Sequence, residues 1–309
     1  MRTLSFLLTV AVATFCVPGT GTAQRHSRGA SPPTAPHGPQ PIVAASSGLG
    51  ALQFYAVNYG VPAPQSLTRQ LQADDDRTRA ASLSAIGAPA QYLVHGNIPY
   101  PHSSELDFVA LGTTDELDAI VTVELDQHMV SAILMPEDGN WKRIATVLYP
   151  ANFNDPTLTP STFLRVARTF QPRDRYRAIF HATTTSPNGD FVENEAHLRV
   201  LNNRAVVTVS FVSNARTCAV NQKPADHKQS GCDLTHRWLQ PDAADPAHHA
   251  LLVTATGHLT ARDAADPLGS AHSFQLAHLR TFSCQPYVFS DATQHYEPTA
   301  NSTPCAVPH

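Results

Sequence analysis

Charge is scarce in this chain, and lysine is scarcer still. Charged side chains make up 15% of the 309 residues, against about a quarter in ordinary globular domains. Lys142, Lys223 and Lys228 are the only lysines, so the surface must rest on Thr, Ser, Asn, Gln and His. The formal net charge is -4 and no basic stripe runs through the sequence, which argues against nucleic acid as a partner. No apolar stretch reaches the roughly 20 residues that cross a bilayer as a helix, so no span is expected in the mature chain. The compact motifs of catalysis are missing too: Gly-x-Ser-x-Gly, His-Glu-x-x-His, the Walker loop and Gly-x-Gly-x-x-Gly do not occur. Their absence excludes enzymes that gather their chemistry in one short segment. It leaves open sites assembled from distant residues. Cys-x-x-Cys is absent as well, so the cysteines do not have zinc-site spacing, and no cofactor is expected.

What is present begins at the N-terminus. Arg2, an uncharged apolar run over 4–17 and the small residues Gly21-Thr22-Ala23 read as a secretory signal peptide over 1–23, with the mature chain starting near Gln24. Cys16 would be discarded with it. Phe15 stands where a lipidated cysteine needs a small residue. A secreted or periplasmic protein is therefore expected. Four cysteines remain, Cys218, Cys232, Cys284 and Cys305, and an even count in an oxidising compartment favours disulfides. Of the three possible pairings, Cys218–Cys232 and Cys284–Cys305 each close a short polar segment. A loop the size of 219–231 is worth about 3 kcal/mol in the chain-entropy account.

Residues 24–49 are rich in proline, as in Ser31-Pro32-Pro33 and Pro39-Gln40-Pro41, and read as a flexible tether. A helical segment is expected over 50–102. Pro64 can open a helix, Leu67 and Leu71 share a face, Asp74-Asp75-Asp76 can cap a second helix, and Gly87 can stop it. The run Leu67-x-x-x-Leu71, Asp76-x-x-Arg79-Ala80-Ala81, Ala85-Ile86-Gly87 resembles one HEAT-type helical repeat. The resemblance covers about 25 residues, without the neighbouring copies a solenoid needs. It implies one helical hairpin packed on something else.

From about Ser103 the apolar period becomes two, and residues 103–309 read as an antiparallel β region. Ala119, Val121, Val123 and Leu125 alternate with Asp118, Ile120, Thr122 and Glu124, predicting one apolar face. Strands follow at 128–135 and 141–149, across the turn Pro136-Glu137-Asp138-Gly139-Asn140, with Trp141, Arg143, Ala145, Val147 and Tyr149 sharing a face. Further strands are predicted at 176–185, 191–201, 205–212, 251–259 and 273–282. Asn202-Asn203 suits a tight hairpin, and 287–289 with 295–297 reads as a final one. Aromatics near strand starts, Trp141, Trp238 and Tyr287, make the hairpins similar to the blade-like β units of secreted bacterial propeller and repeat proteins. The calcium loop Asp-x-Asp-x-Asp-Gly of one such group is absent. The resemblance implies a propeller- or sandwich-like antiparallel architecture and no particular activity.

Three groups of side chains are candidates for chemistry. The histidines number 16, and His248, His249, His258, His272 and His278 fall late in the chain, where imidazoles from adjacent strands could hold a metal. Their strand parities do not converge, which favours structural or surface histidines. Glu105, Asp107, Asp115, Glu116 and Asp118 are dense around one loop and strand start. A glycosidase needs two carboxylates facing one cleft, but a solvated acidic edge explains the cluster as well. Asp190, Glu193 and Glu195 are expected to face water. Tyr100, Trp141, Trp238, Tyr287 and Tyr296 would make a sugar- or peptide-binding surface if exposed, and would otherwise plug the sheet. The resulting expectation is an exported, non-catalytic binding or scaffolding protein with a protein or glycan partner. The alternative is a secreted hydrolase or metal-binding protein whose site is assembled from distant residues.

Overall fold

Two antiparallel sheets organise the chain. The structure is a computed structural model that describes residues 52–94, 96–113, 115–150, 158–170, 175–185, 191–216, 232–246, 249–259, 279–299 and 303–305. In order, the elements are β1 (Gln53–Ala63), α1 (Leu67–Gln70), α2 (Asp76–Ile86), a 3₁₀ turn at Ala90–Leu93, β2 (Ser103–Val109), β3 (Asp118–Leu125), β4 (His128–Glu137), β5 (Asn140–Pro150), α3 (Pro160–Phe163), β6 (Leu164–Arg168), β7 (Tyr176–Thr185), β8 (Phe191–Leu201), β9 (Arg204–Arg216), β10 (Cys232–Pro241), β11 (His249–Leu259), β12 (Leu279–Ser290), β13 (His295–Pro298) and β14 (Thr303–Pro304). The first sheet runs β1-β5-β4-β3-β2. The second runs β6 to β13 in strict sequence, with β14 beside β12. The expected signal peptide and tether lie outside the described residues. No helix among the described residues is long and apolar enough to cross a membrane.

Local chemistry sets the hairpins. Asp138 and Gly139 take φ of 48° and 76°, and Asn202 and Asn203 take 51° and 60°. Two successive positive φ values give the turn whose twist matches the flanking strands. Hence β4 meets β5 and β8 meets β9 across two-residue loops, as the sequence predicts. The strands then run on: the second sheet is one meander of sequential strands, and no separate four-strand blade recurs among the described residues.

The first sheet is covered on both sides, which corrects the expectation of a single apolar face. Ala119, Val121, Val123 and Leu125 pack with Leu67, Leu71, Leu83 and Ile86 of the helices. Ile120, Met129, Ile133, Val147 and Tyr149 pack in the opposite direction, with Phe163, Phe180, Leu198 and Val207, and so join the two sheets in one core. Thr122 and Ser131 are buried between the strands and satisfy each other at 2.7 Å.

The shared face predicted for β5 is corrected as well. Ile133 pairs with Ala145 but Leu134 pairs with Arg143, leaving Ile144 as an extra residue. A one-residue bulge reverses which side later residues face. Ala145, Val147 and Tyr149 therefore point to the second sheet, while Arg143 points to α2 and donates to the Ser84 carbonyl at 2.9 Å. Thr146 donates to the Ile86 carbonyl, also at 2.9 Å. The Ser84 carbonyl also accepts from the Gly87 amide at 3.0 Å, whereas Thr146 serves one of the carbonyls that a helix end leaves without an intrahelical partner.

The helical segment is shorter than expected. Gln53–Ala63, placed in it from sequence, is a strand paired with β5. α1 is a single turn of four residues, so it forms no hairpin of matched helices, and α2 packs on the sheet. Its caps are those predicted: the Asp75 carboxylate accepts from the Thr78 amide at 2.8 Å, and Gly87 closes the helix at φ 81°. Buried Arg79 ties the segment together. It pairs with Asp76 and donates to the carbonyls of Ala73, Asp74 and Ile98 at 2.6, 2.9 and 3.1 Å. The ring of Tyr100 lies 3.8 Å over its guanidinium.

Candidate functional site

The polar groups converge on the second sheet, on the face turned away from the first. Along β8, Ala196, Leu198 and Val200 enter the shared core. The alternation of a strand then turns Glu193, Glu195, His197 and Arg199 the other way. Glu193 is 3% exposed and His197 2%, so the expectation that Glu193 and Glu195 face water is wrong. The cause is the bending of the sheet. β13 lies against β9, four strands back along the same sheet, and Tyr296 of β13 comes within electrostatic reach of Arg177 on β7 and Arg199 on β8. An open sheet that coils back on itself encloses its own inner face.

Within that face the ionisable groups pair. His181 of β7 bonds Glu193, and His236 of β10 lies 3.7 Å from the second oxygen of the same carboxylate. The indole of Trp238 stacks on His236 with ring centres 5.3 Å apart. His197 reaches Glu195 at 2.6 Å and meets the edge of Phe211 at 5.8 Å. Burial pulls the His197 imidazole below its ordinary value despite the hydrogen bond to Glu195. It is therefore neutral at physiological pH, with Nε2–H donating to the carboxylate. Burial pushes Glu195 up, but the hydrogen bond from His197 and the charge of Arg165 outweigh it, so Glu195 is held ionised.

Two hydroxyls near these pairs are bonded to the backbone. Ser213 accepts from the Arg237 amide at 2.8 Å, and Thr208 donates to the His197 carbonyl at 3.3 Å. Neither is bonded to an imidazole, so these groups form no nucleophile–base pair.

Arg177 stands apart. It is 8% exposed, its guanidinium lies 4.1 Å from the Phe170 ring centre, and its Nε is enclosed without a hydrogen bond. A buried donor left unbonded costs about 1–3 kcal/mol. Burial lowers the pKa of both Arg177 and Arg199, with the negative end of Tyr296 opposing the shift at each. Arg199 carries its guanidinium 5.9 Å from the Phe289 ring, and Phe289 meets Tyr296 edge-on at 5.2 Å.

No family model matches this sequence, and no curated protein or solved structure is similar enough to it to indicate kinship. The chemistry must be read from the residues alone.

The groups singled out from sequence are dispersed. His249 opens β11 and has Asp245 at 3.9 Å. His258 pairs through its backbone with Asp233, and its side chain is outside the description. His248, His272 and His278 lie outside the described residues. Among the described residues no group of three or more His, Cys, Asp or Glu is placed to hold a metal ion. Cys284 and Cys305 form a disulfide, Cα atoms 5.6 Å apart, beside the pairing of β12 with β14. Cys218 lies outside the described residues, and Cys232 is described only through the backbone of β10.

The acidic group around β2 is split. Asp115 meets Arg175 at 3.1 Å on the surface, whereas Asp118 is buried and accepts from the Leu111 amide at 3.1 Å. Leu106 and Phe108 face solvent on this edge strand, Phe108 at 55%, with Trp141 6.0 Å from Phe108. Of the five aromatics proposed as a binding surface, Tyr100 is exposed, and Trp141, Trp238, Tyr287 and Tyr296 are half-buried. The inner-face cluster was missed because a strand carrying Glu, Glu, His and Arg at alternate positions reads as a wet face. One signal could have found it: Arg177 and His181 on the preceding strand share a parity that faces those same residues.

Proposed function

We propose that this is an exported, non-catalytic binding protein that holds a small polar ligand against the inner face of its second sheet. One observation carries the reading: a buried row of charged and imidazole side chains on β7, β8 and β10, in a sheet whose other face is apolar. Buried ionisable groups are costly to maintain, and a fold with ample Val, Leu and Ala has no packing need for them. Sites for small molecules combine an apolar wall with a few polar groups that fix orientation. Here Phe211, Trp238 and Phe289 supply the wall. The non-catalytic part of the reading rests on the pairing of His181 with Glu193 and of His197 with Glu195, and on the bonding of the Thr208 and Ser213 hydroxyls to backbone. Export rests on Arg2, the apolar run and the small residues that follow.

The test is a panel of small polar compounds screened by melting shift against the full chain, followed by hydrogen exchange with each stabilising compound. The expected result is slowed exchange centred on β7, β8, β9 and β10, with no compound consumed. Protection mapping to Leu106 and Phe108 on β2 would move the site elsewhere. Turnover of a compound that Glu193→Gln abolishes would replace the binding reading with the hydrolase one.

A further inference from the structure

We infer that the open edge of β2 binds an extended segment of a partner protein, added as a further strand, whose residues alternate apolar and basic. This surface belongs to the first sheet and is separate from the inner face of the second, so either can fail without the other.

β2 ends the first sheet. It pairs with β3 on one side, and among the described residues no strand pairs with the other. An edge strand turns the amide and carbonyl of every second residue outward, and that row is a template for an extended peptide. The side chains along it alternate in kind. Ser104, Leu106 and Phe108 are exposed. They lie on the face that carries α1 and α2, since Val121 and Ala119, opposite Leu106 and Phe108, pack with those helices. The helices stop short of the edge and leave Leu106 and Phe108 outside, with Trp141 6.0 Å from Phe108. Glu105 and Asp107 alternate with them and are half-buried on the other face. Neither carboxylate has an ion-pair or hydrogen-bond partner among the described residues. Burial raises the Asp107 pKa, and no cation opposes the shift.

These residues select the occupant. Like charges directly opposite on paired strands destabilise the pair, and opposite charges stabilise it. Two copies of β2 laid antiparallel about a two-fold axis set acid against acid in every register that overlaps most of the strand. Glu105 meets Asp107, or one of them meets its own copy. A second copy is therefore the wrong partner, and the acids guard the edge against it. The same acids favour a foreign strand with Lys or Arg at the facing positions. Leu106, Phe108 and Trp141 favour apolar residues between those, on the other face of the same strand. A sugar could stack on the aromatics but would leave the main-chain row unpaired, whereas an added strand uses both.

The experiment follows a labelled peptide as long as β2, Lys-Val-Lys-Phe-Lys-Val-Lys with blocked ends, by fluorescence anisotropy as the full chain is added at low ionic strength. Laid antiparallel with its Phe opposite Leu106, the peptide sets lysines opposite Glu105 and Asp107. Saturable one-to-one binding is expected, weakening as salt is raised. Hydrogen exchange should slow in β2 and stay unchanged in β7 and β8. The peptide Lys-Lys-Val-Phe-Val-Lys-Lys has the same composition and charge with the alternation broken, and it should bind about tenfold more weakly or not at all. Methylating the amide nitrogens of the first peptide should abolish binding, because strand pairing needs those donors. Glu105→Gln and Asp107→Asn, made together, keep the side-chain shapes and should weaken binding by about fivefold or more. Phe108→Ser should weaken it by about the same factor, and Leu106→Ser takes its place if that variant does not fold. Tyr59→Ser, at an exposed aromatic on the opposite edge strand β1, should leave the affinity unchanged. Absence of saturable binding to the unsubstituted chain would overturn the inference. Equal affinity for the misordered or the methylated peptide would overturn it too, by showing charge attraction without strand pairing. Undiminished affinity in the Gln and Asn variant would make the acids guards of the edge only. Protection in β7 and β8 in place of β2 would put the peptide on the inner face and sink the edge as its site.

Discussion

Two buried acids and one buried imidazole give this protein opposing responses to pH. Asp118 begins β3 inside the structure, at 4% exposure. Burial raises its pKa from 3.8 to about 6, against the hydrogen bonds it accepts from the Leu111 and Gly112 amides. The folded chain thus holds this proton more tightly than the unfolded one, and stability falls as pH rises from about 4 to about 6. A shift of about two units corresponds to about 3 kcal/mol, a penalty fully present above pH 6. Asp118→Asn keeps the acceptor for Leu111 and removes the charge. Between pH 4 and pH 7 its stability relative to the unsubstituted chain should therefore improve by up to about 3 kcal/mol, read from urea midpoints. A difference that stays flat would mean that Asp118 ionises normally. His197 works in the other direction. Its lowered pKa means that below the ordinary value of about 6.5 the unfolded chain takes up a proton that the folded chain refuses. That stability is present above pH 6.5 and is lost as pH falls. Glu195 reinforces the trend, since a carboxylate with a lowered pKa loses its contribution as pH falls through its folded value. His197→Gln retains a donor for Glu195 without the titration. Its unfolding midpoint should fall less steeply between pH 6.5 and 5, and an unchanged slope would remove His197 as the source.

At the scale of elements, stability is concentrated where a side chain replaces missing backbone partners. Arg79 serves three carbonyls around the start of α2 and the chain at Ile98. Each buried acceptor left unbonded costs about 1–3 kcal/mol. Arg79→Ala should therefore destabilise by about 3 kcal/mol or more, and Arg79→Lys should recover only part, because an ammonium cannot span the same set. A loss under about 1 kcal/mol in chemical unfolding would show that water replaces the guanidinium without penalty. The α2 caps and the tight hairpins were legible from sequence because their signals are local: Asp75 before the helix, Gly87 after it, Asp138-Gly139 and Asn202-Asn203 between alternating runs. β1 was not legible. Its sequence carries Gly60 and Pro62 and an irregularity between Ala56 and Val61, and its partner β5 lies some 80 residues on. The direction of Arg143 was hidden for a related reason, since the extra residue Ile144 reverses parity without altering the hydrophobic pattern. The inner-face cluster was the least legible. Whether Glu193 and Glu195 meet water depends on β13 reaching β9, a long-range contact that no window of β8 encodes.

At the scale of the whole molecule, the joint between the sheets decides whether the protein unfolds as one body. Phe163 of α3 is fully enclosed there, 6.1 Å from Tyr149 of the first sheet and 5.6 Å from Phe180 of the second, ring centre to ring centre. The Tyr149 hydroxyl donates across the joint to the Thr183 carbonyl at 2.9 Å. One continuous apolar cluster includes residues from both sheets, so disrupting either should expose the other. The two tryptophans of the chain report separately, since Trp141 lies on β5 and Trp238 on β10. Trp141→Phe leaves only the second-sheet probe, and Trp238→Phe only the first-sheet one. In these two backgrounds the fluorescence transitions in urea should agree in slope, and in midpoint once each substitution's own effect is subtracted. Adding Phe163→Ala should then lower both midpoints together, by an amount equivalent to about 3–5 kcal/mol for an aromatic removed from a packed core. If only the Trp238 signal shifts, the sheets are two folding units in loose contact. The inner face would then stand without the first sheet as its support, and a fragment beginning near α3 should keep whatever ligand the full chain binds.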